Sequence, residues 1–154
     1  MIKFFFPILI LTFFSLKTPD SSFRENQKKY ERVKNAYSKK GEFVSDHLIE
    51  KGIKYDSFEI FLRAFKKENL LQVFAKNKTD KKFQLLMEYD FCTLSGELGP
   101  KRKQGDMQVP EGFYYIERFN PVSNYYLSLG ISYPNKSDRI LGNKNNLGGD
   151  IFIH

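Results

Sequence analysis

Phe83-Gln84-Leu85-Leu86-Met87-Glu88-Tyr89 alternates by parity: Phe83, Leu85, Met87 and Tyr89 on one side, Gln84 and Glu88 on the other. A period of two marks a strand with one packed face. Two runs rich in aromatic and branched side chains precede it, Phe58-Glu59-Ile60-Phe61-Leu62-Arg63-Ala64-Phe65 and Leu70-Leu71-Gln72-Val73-Phe74-Ala75. Polar turns over residues 66–69 and 76–82 separate them. The pattern predicts a three-stranded meander. Further runs follow at 112–117, 125–132 and 151–153, divided by Gly, Pro and Asn. Short strands joined by such turns predict a sandwich or barrel.

Upstream the period changes. Tyr30, Val33 and Tyr37 fall at helical spacing, Ser22 and Glu25 have the spacing of a capping box, and Gly41 is a plausible stop. A second helical piece over 42–51 brings Phe43, His47 and Leu48 near one face and ends at Gly52. His47 reads as a surface or packing residue, because no second metal-type residue is spaced with it. Helices first and strands later make the class α+β, with a mainly β body. Residues 1–18, 19–54 and 55–154 read as three segments: a leader or anchor, a helical part and a β-rich domain.

The leader is the basic start Met1-Ile2-Lys3 followed by an apolar run from Phe4 to Phe14. That run is shorter than the roughly twenty residues a bilayer span needs. It has the pattern of a secretory signal. The expected location is therefore outside the cytoplasm, in the periplasm or cell envelope, with membrane contact only through this segment. The net charge of +7 favours anionic surfaces such as wall polymers. Nucleic acid is not expected as a partner: the lysine pairs are scattered along the chain, and no recognition motif organises them. The one cysteine, Cys92, closes an apolar run far in sequence from either histidine, and reads as a buried, inert strand-end residue. No metal-spaced cluster of His, Cys or Asp is present, so neither a metal nor another cofactor is expected.

Four segments carry the remaining signal. The first runs from Cys92 to Arg102 and contains Leu94-Ser95-Gly96-Glu97-Leu98-Gly99-Pro100. The second is Gly105-Asp106-Met107-Gln108-Val109-Pro110-Glu111-Gly112-Phe113-Tyr114. Here Pro110 fixes a turn and Gly112 permits a bend or a close approach. The strand that follows is expected to carry Phe113, Tyr114 and Tyr115 into the body. The third is Ser137-Asp138-Arg139, on a loop leading to Leu147-Gly148-Gly149. The fourth is Asp150-Ile151-Phe152-Ile153-His154.

In this order the segments resemble the L,D-transpeptidase catalytic domain (the YkuD-like family), and within it the murein-acting, YafK-like branch. The resemblance covers residues 58–154. It implies an L,D-transpeptidase-like β sandwich or barrel and a Cys/His acyl-transfer mechanism on peptidoglycan stem peptides containing meso-diaminopimelate. It makes His154 the general base. An imidazole titrates near neutrality and can take the proton of a thiol nucleophile. Lys101, Arg102 and Arg139 are candidates to bind stem-peptide carboxylates, with solvated loops or a pair between Arg139 and Asp138 or Asp150 as the structural alternatives. Gly105, Asp106, Pro110, Gly112 and Gly149 are expected to frame the cleft.

In the resembling family a glycine follows the histidine, and the nucleophile lies a short way on in a Ser/Thr-x-Gly-Cys motif. Residues 1–154 contain no such motif. The sequence therefore reads as a carboxy-terminally truncated domain, a fragment in preference to a natural short form, because 148–154 keeps the full approach to the site. This polypeptide is expected to be inactive by itself. The alternative reading is an inactive, exported wall-binding module.

Overall fold

The computed structural model describes residues 19–154, and for Pro19–Ser22 the backbone alone. The expected leader lies outside the described residues. Two helices, α1 (Pro19–Gln27) and α2 (Glu31–Glu50), lead into strands β1 (Phe58–Phe65), β2 (Leu70–Asn77) and β3 (Gln84–Asp90). Strands β4 (Ile116–Asn120) and β5 (Ser128–Ile131), helix α3 (Lys136–Leu141) and strand β6 (Phe152–Ile153) follow. The strands form two three-stranded antiparallel sheets, ordered β1-β2-β3 and β4-β5-β6. Mixed helix and small antiparallel sheets agree with the α+β expectation.

The first sheet is the predicted meander, with one difference in its pleat. Val73 pairs with Met87 and Phe74 with Leu85, so Leu86 is an extra residue in β3. A bulge of this kind reverses the parity of the residues on either side. Leu86 is the buried residue of the strand, whereas Phe83, Leu85 and Tyr89 are exposed. Strict alternation therefore assigned the packed face to the wrong parity over part of β3.

Leu48, Ile53, Ala75 and Leu86 form the core, with Val44, Phe58, Val73 and Met87 packed against it. Leu48 comes from the last turns of α2, so that helix covers the first sheet. Gly41 does not stop it: α2 runs unbroken through the glycine. A glycine inside a helix costs only about 1 kcal/mol. Burial of Val33 near one end and Leu48 near the other offsets it. Ser22 lies inside α1 and not at its start.

The aromatic segment after Gly112 also departs from expectation. Its strand begins at Ile116, and Phe113 and Tyr115 point outward, 86% and 84% exposed. Only Tyr114 of the three turns inward, toward Tyr133 and Asp138.

Candidate active site

The first three sequence segments form one clasped frame. Gly96 packs under the second segment, where an added Cβ would lie 2.5 Å from both Met107 O and Gln108 Oε1. The Glu97 amide donates to Gln108 Oε1 at 3.0 Å, and the Gly99 amide to Glu111 Oε1 at 2.9 Å. Lys66, on the turn after β1, ties the two together: its ammonium donates to Gly99 O at 2.7 Å and lies 3.1 Å from Glu111 Oε1. That lysine holds the Glu111 carboxyl below its ordinary range, against the opposing effect of burial and with help from the Gly99 amide.

Asp106 organises the loop that contains it. Its carboxylate accepts from Lys101 Nζ (2.7 Å) and from the amides of Arg102 (2.7 Å), Lys103 (2.9 Å) and Gln108 (3.1 Å). Burial works against its charge, but the ammonium and the three amides outweigh it and hold the carboxyl well below the usual range. Lys101 is 6% exposed, and its ammonium is shared between Asp106 and Lys103 O. Arg102 is half-buried, and its carbonyl accepts from the Asn143 amide at 2.8 Å, joining the first segment to the third. Pro110 is buried; Gly105 and Gly112 are exposed, with φ of +76° and +157°.

The third segment is anchored through Asp138, which is 3% exposed. Asn135 and Asp138 form a reciprocal capping box at the start of α3. Asp138 Oδ2 also accepts from Tyr114 OH at 2.9 Å. Burial and the adjacent Asp138 carboxylate both raise the Tyr114 phenol above its ordinary value. Arg139 points to solvent from the last turn of α3 and pairs with neither Asp138 nor Asp150. Asp150 instead meets Arg118 Nη2 at 2.8 Å. Gly149 is exposed with open space around it; its neighbour Gly148, at φ +75°, makes the turn against Gln104.

His154 follows β6 directly. The β5–β6 ladder pairs Leu129 with Ile153 and Gly130 with Phe152. An added Cβ at Gly130 would lie 3.2 Å from the Phe152 ring, so glycine here lets the aromatic lie across the ladder. The imidazole stacks on Tyr125, with ring centroids 4.0 Å apart and planes 15° from parallel. It opens on a cavity of about 330 Å3 lined by Asn120, Ser123, Asn124, Ser128, Asp150 and Phe152. Tyr125 is 68% exposed, on the cleft side and not in the core.

Cys92 is exposed, contrary to the expectation of a buried residue. Strand β3 ends at Asp90, and Cys92 lies beyond it on an irregular segment that no facing strand covers. It lines a different cavity, of about 440 Å3, with Lys66, Asn69, Phe91 and Leu98. The two cavities share no residue. His47 is half-buried, with Nδ1 2.8 Å from Phe43 O and its ring 4.2 Å from the Phe43 ring, as a packing histidine would be. No cluster of His, Cys, Asp and Glu suited to a metal ion occurs among the described residues.

Over 97 residues, 62% of this chain, the sequence is 41% identical to the putative L,D-transpeptidase YafK of Escherichia coli K12. The resemblance to the YafK-like L,D-transpeptidase family holds. The helical cell shape determining protein Pgp2 of Campylobacter jejuni has a solved structure that matches with a TM-score of 0.52 at 28% identity, over 72% of this chain and 40% of that one. A mutant form of Pgp2 matches with the same TM-score at 29% identity, over 72% of this chain and 39% of that one. No protein-family profile matches. The chain spans 37% of the length of YafK. Among the described residues, no helix is long and apolar enough to cross a membrane.

None of the three candidate substrate cations lines the His154 cavity. Arg118 stands beside that cavity, paired with Asp150, and its guanidinium lies 5.0 Å from the centre of the Phe152 ring. Sequence inspection passed over Arg118 because it sits in the middle of a strand. The available signal was its place, opposite Gly130 in the strand next to β6.

Proposed function

We propose that this chain carries the base side of a peptidoglycan acyl-transfer site of the L,D-transpeptidase type, with His154 as the general base. The observation that supports it most is the placement of His154, at the end of a paired strand, stacked on Tyr125 and open to a cleft lined by Asn120, Ser123 and Ser128. A base must sit within hydrogen-bond reach of the proton it takes, and a strand end fixes that position. In the proposed reaction a cysteine thiol gives its proton to the imidazole. The thiolate attacks the carbonyl of the L-centre of meso-diaminopimelate in a tetrapeptide stem. The C–N bond to the terminal D-alanine breaks, and its amine leaves with the proton from the imidazolium. An amine then resolves the thioester into a crosslink or an attached protein, or water cleaves it. Backbone amides near the thiol would hold the oxyanion.

Cys92 is not that thiol in our reading, because it opens into the other cavity. The likeness to YafK, a putative L,D-transpeptidase, supports the substrate class, and the leader pattern supports a location in the periplasm or envelope. Lys101, Arg102 and Arg139 remain the proposed carboxylate contacts. Arg139 is exposed and forms no ion pair among the described residues, whereas Lys101 already serves Asp106. The sandwich or barrel would form by association of the two sheets around the cleft.

The test has two arms. The codons after that of His154 are read for a glycine and then a Ser/Thr-x-Gly-Cys. The polypeptide that includes such a cysteine is incubated with purified tetrapeptide muropeptides, with and without His154→Ala. Release of D-alanine that disappears in the variant is the expected outcome; release that survives it rejects His154 as the base. Salt-resistant adsorption to insoluble peptidoglycan without turnover would favour a wall-binding module, since charge-only adsorption is screened.

A further inference from the structure

Ser128 is 5% exposed, and its Oγ finds no hydrogen-bond partner among the described residues. Buried hydroxyls are seldom left unpaired, because an unmade bond costs the full desolvation of the group. The residue lines the same cavity as His154. The register explains the proximity. Leu129 faces Ile153 and Gly130 faces Phe152, so one further step sets Ser128 opposite His154. Directly opposed residues of antiparallel strands project on the same face, with Cβ atoms about 5 Å apart.

Asn124 is exposed to solvent, and three other polar side chains around the cavity are engaged. Asn120 Oδ1 accepts from the Val122 amide, Ser123 Oγ accepts from the Tyr125 amide, and Asp150 holds Arg118. Ser128 is the buried group left over; the register sets it between Asn120 on the β4 side and the His154 imidazole on the β6 side.

We propose that Ser128 is a positioning residue for His154. When the ring turns inward from Tyr125, the Ser128 hydroxyl accepts from one imidazole N–H. In a neutral imidazole one nitrogen donates and the other accepts, and the bond made by the donor decides which is which. Ser128 thus fixes the tautomer and leaves the other nitrogen bare to take a proton from a thiol. Tyr125 supplies the outer resting place of the ring and Ser128 the inner, aligned one. This inference rests on the reading of His154 as the base.

The test is nitrogen–proton correlation NMR of the imidazoles in the polypeptide of residues 1–154, recorded above the ring pKa. The chain has two histidines, so His47 serves as an internal control. In the unaltered protein His154 should favour one tautomer. Ser128→Ala should shift its tautomer ratio roughly twofold or more toward that of free imidazole, and Ser128→Thr, which keeps the hydroxyl, should restore it. His47 should not move in either. Tyr125→Leu removes the outer stack and keeps the serine, so it should preserve or sharpen the preference. An unchanged His154 ratio in Ser128→Ala, or loss of the preference in Tyr125→Leu, overturns the proposal. Muropeptide turnover is not part of this readout. Failure of His154 as a base would appear in the turnover assay, and failure of Ser128 in the tautomer ratio.

Discussion

Arg32 and Tyr126 hold one another. The Arg32 guanidinium donates to Tyr126 O at 3.1 Å and to Ser123 O, and the Tyr126 hydroxyl donates back to Arg32 O at 3.1 Å. Ser123 and Tyr126 bracket Tyr125, the ring on which His154 stacks. A residue in the first turn of α2 thereby fixes one wall of the cleft, while the far end of the same helix covers the first sheet. Phe23 of α1 adds an edge contact to Phe119 of β4 at 5.2 Å.

Arg32→Ala should therefore loosen the 121–127 turn selectively. Hydrogen bonds to a charged donor contribute about 1.5–3 kcal/mol when shielded, and partial exposure puts this pair near or below the lower end. The expected outcome is faster amide hydrogen exchange at Tyr125, whose amide donates to Ser123 Oγ, with the β1–β2–β3 amides unchanged. Equal acceleration in both sheets would mean that Arg32 supports the whole fold and not this wall.

Asp106 should make the fold acid-sensitive. Its folded carboxyl gives up its proton more readily than in the unfolded chain, so the unfolded state binds more protons as pH falls. The stabilisation is complete above the ordinary value of 3.8 and is lost as pH drops below it toward the folded value. Asp106→Ala strands a shielded ammonium on Lys101, and breaking one side of such a pair costs on the order of 3 kcal/mol. Urea midpoints at pH 7 and pH 3 check this. The unaltered protein should lose more between the two pH values than Asp106→Ala, which starts lower. Equal losses would mean that other carboxylates carry the acid dependence.

The sequence was informative where one residue sets a local conformation, and less so where distant residues meet. The meander was legible because its three runs have turns on both sides. Its packed face was misjudged at Leu86, because a bulge depends on the partner strand and leaves no mark in a single strand's alternation. The helix through Gly41 was broken too early for a similar reason: propensity is local, whereas the burial of Val33 and Leu48 that holds α2 together is not. In the candidate site, His154 stood out by its place after Gly-Gly-Asp and an apolar triplet. Ser128 and Arg118 did not, since only the β4–β5–β6 register brings them to the cleft.

Tyr114 and Asp138 join the second segment to the third, which gives a conservative test of that joint. Tyr114→Phe removes one hydroxyl and leaves Asp138 Oδ2 with the Asn135 amide. Loss of a partner from a buried carboxylate should cost about 1–3 kcal/mol. Thermal unfolding should show the loss. Amide exchange should place it in α3, where the capping box depends on Asp138. A Tyr115→Phe control should be neutral, because Tyr115 is 84% exposed and its hydroxyl makes no bond among the described residues. Equal effects of the two variants would show that the hydroxyl bond to Asp138 adds nothing.

The polypeptide of residues 1–154 contains a thiol and an imidazole that face different cavities, and that separation predicts its chemistry. Acyl transfer by a Cys/His pair requires the two within hydrogen-bond reach. Cys92 shares its cavity with Lys66 and Leu98, and His154 shares the other with Ser128 and Asp150. Incubated alone with tetrapeptide muropeptides, this polypeptide should release no D-alanine above background, and Cys92→Ser should change nothing. Cys92 is exposed, so a maleimide should label it in the folded protein without denaturant. The label should leave the His154 imidazole signals in place, because it sits at the other cavity. Turnover abolished by Cys92→Ser, or a His154 signal displaced by the label, would bring the two groups together and replace the two-cavity arrangement with a single site.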